Sequence, residues 1–244
     1  MTQPPASARS GARREEIAAG LARVRARVAA ACEDVGRTVS EITIIAITKT
    51  RPASDIGLLR ELGVTEVGEN RDQEAAPKAA ECARLGMTDL TWHFVGQLQT
   101  NKSSSVVRYA DVVHSVDRVR LVRALGQHAS RTGRTVTCLI QVSLDADPSR
   151  GGAPVDQVPG LADAVAGQGA LVLGGVMAVA PLDEPPGAAF SKLADVAAAV
   201  RAAHPDATMI SAGMSADLEQ AIAFGATHLR VGTALLGARR AFVR

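Results

Sequence analysis

Lys49 ends an apolar run and is the residue of this sequence best placed for covalent chemistry. The run Glu41–Arg51, EITIIAITKTR, is rich in β-branched residues and predicts a strand that is buried on both faces. Lys49 would then lie at the C-terminal end of that strand, where partial burial makes an ammonium group easier to deprotonate. Such a lysine can form a Schiff base, although a lysine at a strand end can equally be a solvated edge charge.

Hydroxyl and glycine residues follow two strands predicted near the end of the chain. The stretch SAGMS contributes Ser211, Gly213 and Ser215, and Gly232 and Thr233 follow the next strand. Glycine lets the backbone approach an anion closely, the hydroxyls donate, and helices predicted to begin at Ser215 and Thr233 would point amides at it. Taken singly, Ser215 can be only a helix cap and Gly232 only a tight turn. Together they favour a phosphate site.

Arg230 stands between Leu229 and Val231 near the end of the last predicted strand. As a permanently charged donor, it would hydrogen-bond an unprotonated ring nitrogen, whereas the alternative is an ion pair on the rim of the fold. A lysine, a phosphate site and such a donor suggest a phosphorylated carbonyl compound held as an imine. Pyridoxal phosphate matches this description.

Eight strand-like segments alternate with helical ones and must position these residues. The strands are expected at 41–49, 64–67, 91–95, 111–115, 135–143, 171–179, 207–211 and 227–231. This alternation predicts an α/β fold, a single (β/α)₈ barrel of the TIM type, with an extra N-terminal helix over Arg13–Cys32. A doubly wound sheet is the alternative, but it would need a glycine-rich turn after the first strand, and the residues there, TKTR over Thr48–Arg51, contain no glycine. Asn70 and Asp117 are the expected caps of the helices that follow them.

Composition limits the other function classes. The 244 residues are 47% hydrophobic and 21% charged, which suits one large domain, expected over 13–244 behind a mobile tail over 1–12. A net charge of +2 gives no reason to expect nucleic acid or an acidic membrane as partner. The three cysteines and five histidines show no metal-ligand spacing, so no metal site is expected. No apolar run spans a bilayer and no signal peptide is recognised, so we expect a cytoplasmic protein.

Several longer motifs resemble the pyridoxal phosphate homeostasis protein family. They are ITKTRP around Lys49, VGENR around Asn70, WHFVGQLQTNK from Trp92, HSVDR from His114, SRGGAP from Ser149, and GMSADLEQAIAFGATHLRVGTALLGAR from Gly213. The resemblance covers nearly the whole chain from the first helix to Arg239. It implies the barrel of the alanine racemase N-terminal domain, with pyridoxal 5'-phosphate as the cofactor.

The resemblance also implies roles for individual residues. Lys49 would carry the cofactor as an internal aldimine, and Arg230 would face its ring nitrogen. The phosphate would be surrounded by Ser211, Gly213, Ser215, Gly232 and Thr233, and Asn70 and Met177 would lie beside the cofactor. Ala212 stands where the family usually has methionine, whereas the hydroxyl and glycine positions of this stretch match the family.

The family is regarded as non-enzymatic, so the resemblance implies no catalytic residue and a role in vitamin B6 and amino-acid homeostasis. Apoenzymes are the candidate recipients of the cofactor, and a monomer or weak homodimer is expected. The alternatives are a pyridoxal phosphate-dependent amino-acid racemase and a lysine-dependent aldolase. Racemisation needs a second acid–base group opposite the lysine. The barrel racemases take a tyrosine from an additional C-terminal domain, and Tyr109, the sole tyrosine here, is expected away from the barrel mouth.

Overall fold

The fold is a closed barrel of eight parallel strands surrounded by helices. The structure, a computed structural model, describes residues 6–144, 151–181 and 185–238. Each strand pairs with its neighbour in chain order, and β8 closes the barrel by pairing with β1 from Thr43↔His228 to Ala46↔Val231. The expected (β/α)₈ architecture is therefore confirmed.

The eight strands are three to seven residues long. They are β1 Thr43–Ile47, β2 Glu66–Glu69, β3 Thr91–Phe94, β4 Val112–Val116, β5 Val136–Gln141, β6 Leu171–Met177, β7 Met209–Ser211 and β8 His228–Val231. The strands expected at 135–143 and 171–179 are each two residues shorter at their C-terminal ends, and the one expected at 207–211 begins two residues later. Branched apolar residues fill the layer between strands and helices, where parallel strands are covered on their outer face.

The helices occupy the connections between strands. They are α1 Ala6–Asp34, α2 Ala53–Glu61, α3 Asp72–Arg84, α4 Ser103–Val106, α5 Val119–Thr132, α6 Val158–Ala166, α7 Pro186–Ala203, α8 Leu218–Ala223 and α9 Thr233–Leu236. Short 3₁₀ turns occur at Val39–Glu41, Thr100–Lys102 and Val155–Gln157. Since α9 has a single turn in the described part of the chain, another element must cover the barrel where β8 meets β1.

That element is α1, which packs against α2, α8 and α9. Its apolar stripe of Ile17, Leu21, Val24 and Val28 is buried, as its spacing predicts. The helix begins at Ala6, so residues 6–12, expected in a mobile tail, are helical. Residues 1–5 of the expected tail lie outside the described residues.

Three helix starts differ from the sequence expectation. Arg71 is the cap residue of α3 and Arg118 that of α5, so Asn70 and Asp117 are not caps. α8 begins at Leu218 after a turn, and not at Ser215. In each case the chain needs one to three residues beyond the expected position before it turns into the helix, and cap residues depend on that local turn.

Cys32, Cys82 and Cys138 are buried and unpaired, and burial raises the pKa of each thiol. Among residues 6–144, 151–181 and 185–238, no group of three His, Cys, Asp or Glu side chains is arranged to hold a metal ion. Within the same ranges no helix is long and apolar enough to cross a membrane.

Candidate functional site

A cavity of about 400 Å³ opens at the C-terminal ends of the strands. The ends of β1, β2, β3, β6, β7 and β8 contribute to it, which is where barrel enzymes place their sites. Its lining consists of Ile47, Lys49, Arg51, Asn70, Val95, Gly96, Val179, Met214, Ser215, Ala216, Arg230, Gly232, Thr233, Leu236 and Gly237. Six of the nine residues expected to bind the cofactor therefore meet in one cavity: Lys49, Asn70, Ser215, Arg230, Gly232 and Thr233.

Lys49 lies two residues beyond β1 in a turn that other elements hold in place. Thr50 has a left-handed backbone, with φ of 63°, which is uncommon for a β-branched residue. Its amide donates to Oε2 of Glu74 on α3 at 3.1 Å. On the other side of Lys49, the amide of buried Thr48 donates to the carbonyl of Gly68 at 2.9 Å. The backbone of the lysine is thus tied to β2 and α3, while the Lys49 side chain is half-buried against the cavity.

Arg230 is a buried cation at the floor of the cavity, with 6% of its surface exposed. Nη1 donates to the carbonyl and hydroxyl oxygens of Ser211 at 2.8 and 2.7 Å, and Nη2 donates to the carbonyl of Ala178 at 2.8 Å. Burial lowers its pKa to about 10, so it stays charged at neutral pH. No described carboxylate hydrogen-bonds to the guanidinium, and its Nε–H and second Nη2–H have no described acceptor. A ligand atom with a free lone pair would satisfy them.

Backbone amides supply further donors on the β7 and β8 side of the cavity. Within the described residues, no acceptor receives the N–H groups of Ser215, Ala216, Gly232 or Thr233. All four residues line the cavity. The hydroxyl of Ser215 accepts from the amide of Ala234 at 3.2 Å, which joins the two turns. Neighbouring unpaired backbone amides are typical of sites that bind phosphate oxygens.

The source of these donors differs from the sequence expectation. Since α8 starts at Leu218 and α9 has one turn, Ser215 does not open a helix and neither helix carries a large dipole. The donors are amides of the two turns that follow β7 and β8. A phosphate group would be bound here mainly by hydrogen bonds.

Three of the expected residues do not line the cavity. Met177 is buried among Leu139 and Val112 inside the barrel. Gly213 has φ of 87°, and a Cβ there would approach Cβ of Ala221 to 2.6 Å, so this glycine allows the turn to pack on α8. Ser211 is fully buried and holds Arg230 from behind.

Sequence reasoning did not single out several lining residues. Arg51 closes one side of the cavity, because its Nη2 donates to the carbonyls of Gly237 and Ala238 at 2.7 and 2.8 Å. Gly96 lies against the backbone of Asn70, whose carbonyl oxygen would be 2.1 Å from an added Cβ. The signal available for both was their place just after a strand. Tyr109 packs edge-on against Trp92 and does not line the cavity, in agreement with its expected position.

Residues 9–240 match the family described as alanine racemase, N-terminal domain. The chain is 45% identical to the pyridoxal phosphate homeostasis protein of Mycobacterium tuberculosis (strain H37Rv), covering 93% of this chain and 95% of the relative. It is 37% identical to the protein of that name from Escherichia coli (strain K12), covering 92% and 97%.

Two solved structures share this fold. PipY of Synechococcus elongatus PCC7942, solved with pyridoxal phosphate (PLP) bound, superposes with a TM-score of 0.79 at 34% identity, over 91% of this chain and 100% of that one. Alanine racemase from Corynebacterium glutamicum superposes with a TM-score of 0.70 at 12% identity, over 91% and 60%. At that identity the racemase shares the fold alone.

Proposed function

We propose that this chain, which belongs to the pyridoxal phosphate homeostasis protein family, binds pyridoxal phosphate in the barrel-mouth cavity through a Schiff base to Lys49. The cofactor would be stored there or passed to apoenzymes, without substantial turnover of a substrate. The observation that carries the proposal is the meeting of a lysine amine, a buried arginine with unpaired donors and four unpaired amides around one cavity.

The residues present fit this cofactor group by group. Lys49 supplies the amine for its aldehyde, and the amides of Ser215, Ala216, Gly232 and Thr233 supply donors for its phosphate. Arg230 supplies a donor for its ring nitrogen and, being always charged, would keep that nitrogen unprotonated. When bound, pyridoxal phosphate supplies an aldehyde and an electron-withdrawing ring. Met177, Ser211 and Gly213 do not line the cavity and would support the residues that do.

The absence of turnover is proposed from the chemistry of the lining. Moving a proton from one face of a carbon to the other takes two acid–base groups. Of the described residues that line the cavity, none is a histidine, tyrosine, cysteine, aspartate or glutamate. Arg51 and Arg230 are poor proton carriers because an arginine stays charged. The described lining therefore offers no His, Tyr, Cys, Asp or Glu side chain for a second proton transfer, which favours a carrier over a racemase.

The Schiff base is tested by absorption and borohydride reduction. Purified protein mixed with pyridoxal phosphate should show a visible band, and reduction should fix the adduct to one of four lysines, Lys49, Lys78, Lys102 or Lys192. Peptide mapping should place it on Lys49. Lys49→Ala should lose the band, and Lys192→Ala, which changes an exposed lysine of α7, should keep it. An adduct on another lysine would refute the assignment.

The lack of turnover is tested in deuterated water. Holoprotein is incubated with L-alanine and other amino acids while α-hydrogen exchange and enantiomer composition are followed. We expect neither exchange nor racemisation at an enzymatic rate. Racemase-like rates that disappear in Lys49→Ala would overturn the carrier proposal and require a second base.

A further inference from the structure

A chain of hydrogen bonds crosses the barrel interior and ends on Arg230. It starts at Glu66 on β2, whose Oε2 lies 2.6 Å from Nε2 of His93 on β3. Nδ1 of His93 lies 2.8 Å from Nε2 of His114 on β4. Nδ1 of His114 lies 3.0 Å from the hydroxyl of Ser211 on β7, which in turn lies 2.7 Å from Nη1 of Arg230.

This hydrogen-bond chain runs from one end of the barrel to the other. Glu66 is the first residue of β2, and Arg230 and Ser211 lie near the C-terminal ends of their strands. His93, His114 and Ser211 are at most 2% exposed, so water cannot readily replace their partners. Glu66, at the other end of the hydrogen-bond chain, is partly exposed.

One arrangement of protons satisfies every member. Arginine only donates, so the Ser211 oxygen accepts from Arg230 and its own proton goes to Nδ1 of His114. His114 must then carry its proton on Nε2 and donate it to Nδ1 of His93. His93 carries its proton on Nε2 and donates it to the Glu66 carboxylate. Both imidazoles are neutral in this arrangement.

The reverse direction is unfavourable. It would put a proton on Nδ1 of His93, so the contact with Glu66 would need either a second proton on His93 or a protonated Glu66, and it would turn Nδ1–H of His114 toward Ser211. The Ser211 hydroxyl would then have no acceptor among the described residues, at a fully buried position. A second proton on either histidine would also add an imidazolium to an interior that already holds the Arg230 charge. Burial, with further lowering from His93 and Arg230, holds the pKa of His114 well below its usual range.

We propose that Ser211, His114, His93 and Glu66 are positioning residues for Arg230. Their single proton arrangement keeps the Ser211 oxygen available as an acceptor. This fixes Nη1 on the side away from the cavity and leaves the unpaired N–H groups of Arg230 for a ligand acceptor. The inference rests on the proposed function, since the ligand acceptor is the ring nitrogen of pyridoxal phosphate.

The proton arrangement is tested on the full chain without cofactor. Nitrogen NMR of ¹⁵N-histidine-labelled protein distinguishes the two neutral tautomers from imidazolium. We expect His93 and His114 both to carry the proton on Nε2. Ser211→Ala should release Nδ1 of His114 and let its tautomers mix. A wild-type His114 protonated on Nδ1, or on both nitrogens, would overturn the proposal.

The effect on the cavity is tested by cofactor titration of the same variants. Ser211→Ala should weaken pyridoxal phosphate binding by about tenfold. His93 does not contact Arg230, yet His93→Phe should still weaken binding by roughly threefold or more. Ser115→Ala is the matched control, because its buried hydroxyl has no partner in the described structure. If both test variants bind pyridoxal phosphate as tightly as the wild-type protein, the proposed positioning role of the hydrogen-bond chain is wrong. A wild-type protein that forms no adduct on Lys49 would refute the proposed function instead. The tautomers of His93 and His114 would still test the proposed proton arrangement.

Discussion

Lys78 on α3 reaches Glu69 at the end of β2 beneath the turn that carries Lys49. Its Nζ lies 2.5 Å from Oε1 of Glu69 and 2.8 Å from the carbonyl of Thr48, and the hydroxyl of Thr48 donates to the same carboxylate oxygen at 2.7 Å. Glu69 is fully buried, and burial raises its pKa while the Lys78 ammonium opposes the rise. The residue before Lys49 is therefore fixed by a buried ion pair.

Breaking this pair should destabilise the protein strongly. Lys78→Met leaves the Glu69 carboxylate buried without its cation, and we expect a loss of about 3–5 kcal/mol in the free energy of unfolding. Adding Glu69→Gln should recover much of that loss, because an amide costs less to bury. Urea unfolding followed by circular dichroism measures both. Lys192→Met is the exposed control, and a Lys78→Met loss as small as that of the control would contradict the structural role of the pair.

Phosphate should contribute much of the cofactor affinity. Each hydrogen bond to a charged group contributes about 1.5–3 kcal/mol, so pyridoxal should bind at least about a hundredfold more weakly than pyridoxal phosphate. Ser215→Ala with Thr233→Val should narrow this gap without closing it, because the backbone amides remain. Competition titrations measure the two affinities, with Ser191→Ala on α7 as control. Equal affinity of the wild-type protein for both compounds would sink the phosphate assignment.

Packing of α1 on α9 should matter for the cavity. Gly20 of α1 lies against α9, where an added Cβ would be 2.2 Å from the carbonyl oxygen of Leu235. Gly20→Ala must displace α9 and the Gly232–Thr233 turn, so we expect about 1–3 kcal/mol lower stability and weaker cofactor binding. Gly160 of α6 has open space around it, and Gly160→Ala should stabilise the protein by about 0.5–1 kcal/mol. Thermal unfolding and cofactor titration compare the two, and similar results for both variants would argue against the contact.

Acid should destabilise the protein partly through His228. Burial and the nearby His93 lower the pKa of His228 from 6.5 to about 4, although Glu66 opposes the shift. As pH falls from about 6.5 to about 4, His228 takes up a proton in the unfolded chain and not in the folded one. Stability from this residue is therefore complete above pH 6.5 and is lost toward pH 4, by at most about 3 kcal/mol. His228→Asn should show a shallower loss in urea titrations at several pH values, and an unchanged slope would contradict this.

The sequence by itself determined the fold and the strand ends at which the site forms. Alternating strands and helices predict a barrel because parallel strands need crossover connections, and this held without any knowledge of pairing partners. Lys49, Arg230 and Gly232 were recognisable because a strand's end is a local property of the chain. The resemblance in long motifs then indicated the cofactor, since composition and spacing alone left an aldolase open.

Tertiary structure decided which residues face one another. No local pattern in the sequence predicts that the side chains of Glu66, His93 and His114 meet. They do so because the register of β2, β3 and β4 points these side chains into the barrel. The same holds for Lys78, which an amphipathic pattern treats as a surface residue and which reaches Glu69 across a strand–helix packing. The sequence also did not predict the helix starts after β2 and β7 correctly, because Asn70 and Ser215 lie in turns whose course is set by packing at the barrel mouth. Contacts between distant segments depend on strand stagger and closure, which no spacing along the chain encodes.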